Sequence, residues 1–264
     1  MMKSGLVSIS FRSLSVEEII QLTSDCGLRG IEWGGDVHVP HGDVELARRV
    51  ARLTNEAGLE VASYGSYYRF DECDPDSSDK GPSMECVIDS ADALGAPAIR
   101  VWAGRRSPVE TSATVREAIT DRAREFAEAA LAKGIRLDFE YHENSLTETP
   151  ESTLSLMEGV SHSNARSLWQ PPLLTSVEKR MEGLRRIKPW VSNFHCNHFD
   201  QEPWPNTQPL KNGEAEWMLY LKEIDSFPGD RWVLIEHVRN HVPEQLAEDA
   251  AALNKWLSQL SLEG

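Results

Sequence analysis

The sequence predicts an α/β barrel of eight parallel strands, and three observations point there. Eight short β-prone runs alternate with eight helical stretches from end to end, the pattern of a parallel sheet with helical crossovers. Gly27, Gly58, Gly95 and Gly134 each follow a helical stretch just before the next strand, as C-terminal caps do. The length of 264 residues suits an eightfold barrel, which commonly uses about 250 residues as one domain. Residues 1–264 therefore read as one barrel domain. A doubly wound nucleotide-binding sheet is the rival, but neither G-x-G-x-x-G after a strand nor G-x-x-x-x-G-K-[ST] occurs.

The strand-like runs fall at residues 5–11, 30–33, 60–64, 98–102, 136–141, 166–169, 191–195 and 231–237. The first helix, 16–26, carries Val16, Ile19, Ile20 and Thr23 at helical spacing behind Ser15, a side chain suited to capping the first turn. The second, 44–57, repeats the design behind Asp43 and stops at Gly58. Helices at 83–94, 113–133, 150–160, 176–187, 214–226 and 243–260 complete the set. The loops after strands (34–42, 65–82, 103–112 and 196–213) are longer than those before them. That asymmetry places function at the strand C-termini.

Composition narrows the partners. Against 27 basic residues stand 42 acidic ones, a net charge of −15, which argues against nucleic acid or an anionic membrane as principal partner. Cys26, Cys73, Cys86 and Cys196 show no C-x-x-C pairing and read as reduced thiols. The N-terminal segment lacks the apolar core and cleavage site of a signal peptide, and no run approaches the roughly 18 apolar residues of a spanning helix. A soluble, cytoplasmic protein is expected.

Three strands break into chemistry in the same way. Leu-Asp-Phe-Glu-Tyr-His (137–142), Ser-Asn-Phe-His-Cys-Asn-His (192–198) and Val-Leu-Ile-Glu-His (233–237) end at Glu140, His195 and Glu236. A barrel gathers its strand ends around one mouth, so these distant residues become neighbours. Two carboxylates and an imidazole suit a hard or borderline divalent cation. His142 and His237 lie one or two residues past a glutamate, where they can orient ligands or face solvent. Trp33, Trp102 and Trp169 sit at strand ends, where an aromatic face can stack on a sugar ring or pack the rim. Glu32, His38, Trp102, His142, His198 and Arg239 are the candidate substrate contacts, Arg239 being the best suited to an anion. Arg100 is either another such contact or an internal partner of the acids. The acid-rich segment 71–79 lacks the glycine and terminal glutamate of a calcium loop and reads as solvated.

Over essentially its full length the chain resembles the xylose-isomerase-like TIM barrels grouped as sugar phosphate isomerases/epimerases. The resemblance rests on Gly-Ile-Glu-Trp (30–33), Asp-Phe-Glu-Tyr-His-Glu-Asn-Ser-Leu-Thr-Glu-Thr-Pro-Glu-Ser (138–152), Phe-His-Cys-Asn-His (194–198) and Leu-Ile-Glu-His-Val-Arg (234–239). It implies a divalent metal (Mn²⁺, Mg²⁺, Co²⁺ or Zn²⁺) held by Glu140, His195, Glu236 and a residue after strand six. There the family usually has an acid, whereas this chain has Gln170, an oxygen ligand without charge. The resemblance also implies Glu140 and Glu236 as catalytic base and acid in isomerising or epimerising a small sugar, sugar phosphate or polyol through an enediolate. A dehydratase acting on an inosose or dehydroshikimate-like substrate is the rival, and a non-catalytic sugar-binding barrel another. An endonuclease-IV-like activity is disfavoured by the charge and by the scarcity of early histidines. Oligomeric state stays open, although members of the family often associate as homo-oligomers.

Overall fold

The computed structural model describes residues 1–79, 81–200 and 206–263. Eight strands close into a parallel barrel: β1 Met2–Val7, β2 Gly30–Gly34, β3 Glu60–Gly65, β4 Ala98–Val101, β5 Arg136–Glu140, β6 Ala165–Trp169, β7 Val191–Cys196 and β8 Arg231–Ile235. They neighbour one another in chain order, and β1 pairs with β8 to close the ring. Eight helices alternate with them: α1 Val16–Asp25, α2 Val44–Glu56, α3 Met84–Leu94, α4 Ala113–Leu131, α5 Pro150–Val160, α6 Val177–Ile187, α7 Glu214–Asp225 and α8 Pro243–Glu263. The predicted (β/α)8 architecture is the one observed.

Local chemistry explains the boundaries. Ser15 caps α1 in a reciprocal box with Glu18, and Asp43, Ser83, Ser112, Thr149 and Ser176 each accept a first-turn amide of the helix that follows. Such caps satisfy donors that the helix itself cannot. The first strand begins earlier than the sequence suggested, because Met2 to Leu6 pair with Arg231 to Ile235. Residues Ser8–Phe11 then leave the sheet as a 3-10 turn. The loop 196–213 contains a small hairpin, Phe199–Asp200 with Asn206–Thr207, and its residues 201–205 lie outside the described residues.

Alternation along the strands sets the two sides of the barrel wall. Phe139, Phe194, Val233 and Ile235 face the helices with Val50, Val87 and Phe126, all essentially unexposed. Burying each such side chain is worth roughly 1.5–3 kcal/mol. Inside, Val7, Ile9, Ala62, Trp232 and Leu234 form a separate apolar cluster. Gly30 admits the Trp232 indole, which would stand 2.6 Å from a β-carbon placed there. Above this floor the inward positions are Glu32, Arg100, Glu140, His195 and Glu236. All are 5% exposed or less.

Candidate active site

Strand β5 ends on Glu140, His195 is the last residue but one of β7, and Glu236 follows the last residue of β8. The three side chains converge. His195 Nδ1 lies 3.4 Å from Glu140 Oε1 and 3.3 Å from Glu236 Oε2, and ligand atoms of the three lie within 4.8 Å of one another. His195 Nδ1 and Glu236 Oε2 are buried and make no well-formed hydrogen bond, their nearest polar contacts being ion-pair distances of 3.3 Å or more. Buried polar atoms left unsatisfied are costly and rare. Two of them facing a third ligand atom across one gap fit a divalent cation.

Around this gap the remaining lone pairs are taken. Glu140 Oε2 accepts from Arg100 Nη1 at 2.9 Å and from the Trp102 indole N–H. Its Oε1 accepts from Gln170 Nε2 at 2.9 Å. Arg100 Nε reaches Glu32 Oε1 at 3.1 Å, and the same oxygen lies 3.2 Å from His195 Nε2. Ser63 Oγ donates to the other Glu32 oxygen at 2.5 Å. Burial opposes the charge on Glu140, yet Arg100 and then His195 hold its carboxyl below the ordinary range. Glu236 is held low by His195 and His237, again against burial. For His195 burial works the other way, but Glu236 and Glu32 raise its pKa well above the usual value. Without a cation, His195 therefore sits among the carboxylates as an imidazolium. A metal ion would take the place of its Nδ1 proton.

A cavity of about 640 Å³ opens above the cluster, lined by Arg12, Tyr67, Trp102, His142, Gln170 and His237 among others. A second, of about 360 Å³, shares His142, Gln170 and His237 and extends past Tyr141, Pro171 and Leu173. His142 stacks on Trp102 with ring centroids 4.1 Å apart. Its Nδ1 lies 2.6 Å from the Glu143 carbonyl oxygen, which only accepts, so Nδ1 carries the hydrogen. In the tautomer this contact selects, the lone pair is on Nε2. His237 adopts a left-handed backbone (φ 60°) and brings its Nε2 3.3 Å from Glu236 Oε2.

Several expected contacts lie elsewhere. Glu32 is unexposed and engaged by Arg100, His195 and Ser63, so it stands behind the cluster rather than against a substrate. His38 is 5% exposed and turned onto Ser8 Oγ and the Leu14 carbonyl. His198 packs over Gly213, beside Arg180 and Glu216, and Arg239 is exposed in the turn after β8. Neither lines the two mouth cavities. Trp33 and Trp169 are core residues; Trp169 packs edge-on against Tyr220 at 5.0 Å. Of the two roles for Arg100, the internal ion pair is the one observed.

Gln170 turns its amide nitrogen, not its oxygen, toward the cluster. Its amide nitrogen faces Glu140, and its oxygen accepts from Asn197 Nδ2 at 3.3 Å. The orientation follows from chemistry, since an amide oxygen facing the carboxylate would repel it. Gln170 thus donates to Glu140. Gln170→Asp would set a second carboxylate beside Glu140, so divalent-metal affinity should rise while the metal-free protein loses stability. Titration calorimetry and thermal unfolding in chelator read the two effects; unchanged affinity would place residue 170 beyond reach of the ion. Arg12 and Tyr67, which line the larger cavity, were missed in the sequence because both lie in loops with no strand-end pattern.

Comparison with known proteins agrees with this fold. The chain is 25% identical over 237 residues to a 3-dehydroshikimate dehydratase of Bacillus anthracis, covering 84% of this chain and 82% of that protein. The crystal structure of the probable 3-DHS dehydratase AsbF from Bacillus anthracis superposes with a TM-score of 0.78 at 21% identity, covering 96% of this chain and 99% of the other. D-psicose 3-epimerase from Clostridium cellulolyticum H10, solved with D-tagatose, superposes with a TM-score of 0.70 at 16% identity, covering 97% and 99%. Residues 20–259 match the family model of the xylose isomerase-like TIM barrel. The chain belongs to the xylose isomerase-like TIM barrel family, an enzymatic family of isomerases, epimerases and dehydratases.

Proposed function

We propose that this protein is a lyase that removes water from a small polyhydroxylated ketone, of the dehydroshikimate or inosose kind, by abstracting the proton beside its carbonyl. One observation carries the choice of elimination. The Glu140 carboxylate is occupied by Arg100, Trp102 and Gln170 and held in its weakly basic form, which leaves the free base on the His142 side. Epimerisation needs proton donors and acceptors on both faces of one carbon, whereas elimination can proceed from one. The 25% identity to a 3-dehydroshikimate dehydratase supports the same reading.

Glu140, His195 and Glu236 would hold the divalent cation, which when bound supplies positive charge for the oxyanion that develops at the substrate carbonyl. His142 Nε2 takes the proton from the adjacent carbon. The same imidazolium then returns it to the β-hydroxyl, which leaves as water, so protons and electrons balance without a second base. Trp102 fixes the imidazole plane by stacking, and the Glu143 carbonyl fixes its tautomer. Arg100 keeps Glu140 ionised as a ligand. The partner is a small molecule; among the described residues no helix is long and apolar enough to cross a membrane.

A second reading, sugar isomerisation or epimerisation, is favoured by Glu236, whose Oε2 makes no well-formed hydrogen bond and could serve as a base from the other side. The two separate cleanly. With 3-dehydroshikimate or an inosose in D₂O, dehydration gives a conjugated product whose ultraviolet absorbance grows with turnover. Deuterium incorporation and a saturated isomer without that absorbance would establish the second reading instead.

A further inference from the structure

We infer that Glu32 is a positioning residue for the metal centre: it fixes which nitrogen of His195 faces the cation and supplies the charge that Gln170 does not. The inference rests on the reading that Glu140, His195 and Glu236 hold a divalent ion. Glu32 Oε1 lies 3.2 Å from His195 Nε2. A carboxylate there accepts the Nε2 hydrogen and leaves the lone pair on Nδ1, the atom that faces Glu140 and Glu236. A charged acceptor on the far nitrogen also makes imidazole a stronger donor to a metal.

Charge counting supports the assignment. Glu32, Glu140 and Glu236 are buried carboxylates, and Arg100 is the guanidinium joining the first two. They leave two negative charges, which a divalent cation beside a neutral His195 cancels. With an acid at position 170 the buried cluster would be left negative, and without Glu32 it would be left positive. Either state is costly where water is excluded.

The backbone makes room for this arrangement. A β-carbon on Gly65 would stand 2.6 Å from Arg100 Nη2 and 2.9 Å from Glu32 Oε1. The φ of Gly65 is not positive, so the glycine serves close approach rather than backbone conformation. A substitution there disturbs the Arg100–Glu32 pair without removing a polar group.

The test is metal binding by the full chain, read by calorimetry with Mn²⁺ and by the visible d–d spectrum of the Co²⁺ form. Glu32→Gln keeps the size of the side chain and removes its charge. We expect the Kd to rise about 10–100-fold and the Co²⁺ bands to shift, while circular dichroism shows an intact fold. Gly65→Ala should weaken binding in the same direction, and it decides the matter if Glu32→Gln does not fold. A folded Glu32→Gln protein with a Kd within about twofold of wild type and an unchanged Co²⁺ spectrum overturns the inference. Failure of the wild-type protein to bind any divalent ion defeats the metal reading itself, which distinguishes the two failures.

Discussion

His142→Asn lowers kcat by at least about 10²–10⁴-fold, the usual cost of losing a general base, with the metal content unchanged. The variant is chosen for its geometry. The asparagine amide nitrogen falls near the position of imidazole Nδ1 and can still donate to the Glu143 carbonyl, which Nδ1 approaches to 2.6 Å. It has nothing in place of Nε2. Because His142 is not one of the three clustered ligands, metal occupancy measured on the same sample isolates the proton transfer. Glu236→Gln is the companion: it too should lose activity, but with a loss of metal that His142→Asn does not share. Turnover near the wild-type rate in metal-loaded His142→Asn would remove the one-base mechanism and return the base to Glu236.

Period-two alternation and strand-end position made the barrel and its three convergent residues legible in the sequence. Glu140, His195 and Glu236 each lie at or just past the C-terminal end of a short β-prone run, and a barrel of parallel strands brings three such ends together. The caps and glycine stops were equally local and equally readable. What sequence position could not convey was depth. Glu32 and Arg100 occupy strands β2 and β4 as Glu140 occupies β5, yet they pair across the barrel interior, and of the two only Arg100 borders the cavity. That depends on the stagger between strands, which no single run reveals. His38, His198 and Arg239 failed as cavity contacts for a related reason. They lie in turns past the strands, where the chain's path decides whether a side chain points inward. The amide orientation of Gln170 was also invisible, being set by Glu140 on one side and Asn197 on the other.

Arg100→Met destabilises the metal-free protein by about 3–5 kcal/mol, the scale of breaking a buried ion pair on one side. Arg100 is 1% exposed and holds Glu32 at 3.1 Å and Glu140 at 2.9 Å, so its removal leaves two buried carboxylates with only the His195 imidazolium between them. Methionine fills most of the volume, which keeps the loss electrostatic rather than a cavity effect. The pH dependence tests the cause. In the wild type, burial raises and the neighbouring cations lower the folded pKa of Glu32 and Glu140, with a net decrease. Their stabilisation is therefore present above the unfolded carboxyl value of about 4.3 and is lost as pH falls through the lower folded value. Without Arg100 one of the lowering charges is gone while burial remains, so the folded values move upward. The variant then suffers most at neutral pH, and its deficit shrinks as the pH falls toward about 4 and the carboxylates take up protons. Urea unfolding in chelator across that range measures the difference, and adding Glu32→Gln to Arg100→Met should recover part of it, because one of the stranded charges is gone. A deficit that stays constant with pH, or a double variant no more stable than Arg100→Met, would mean that Arg100 acts by packing rather than as the counter-charge of the two glutamates.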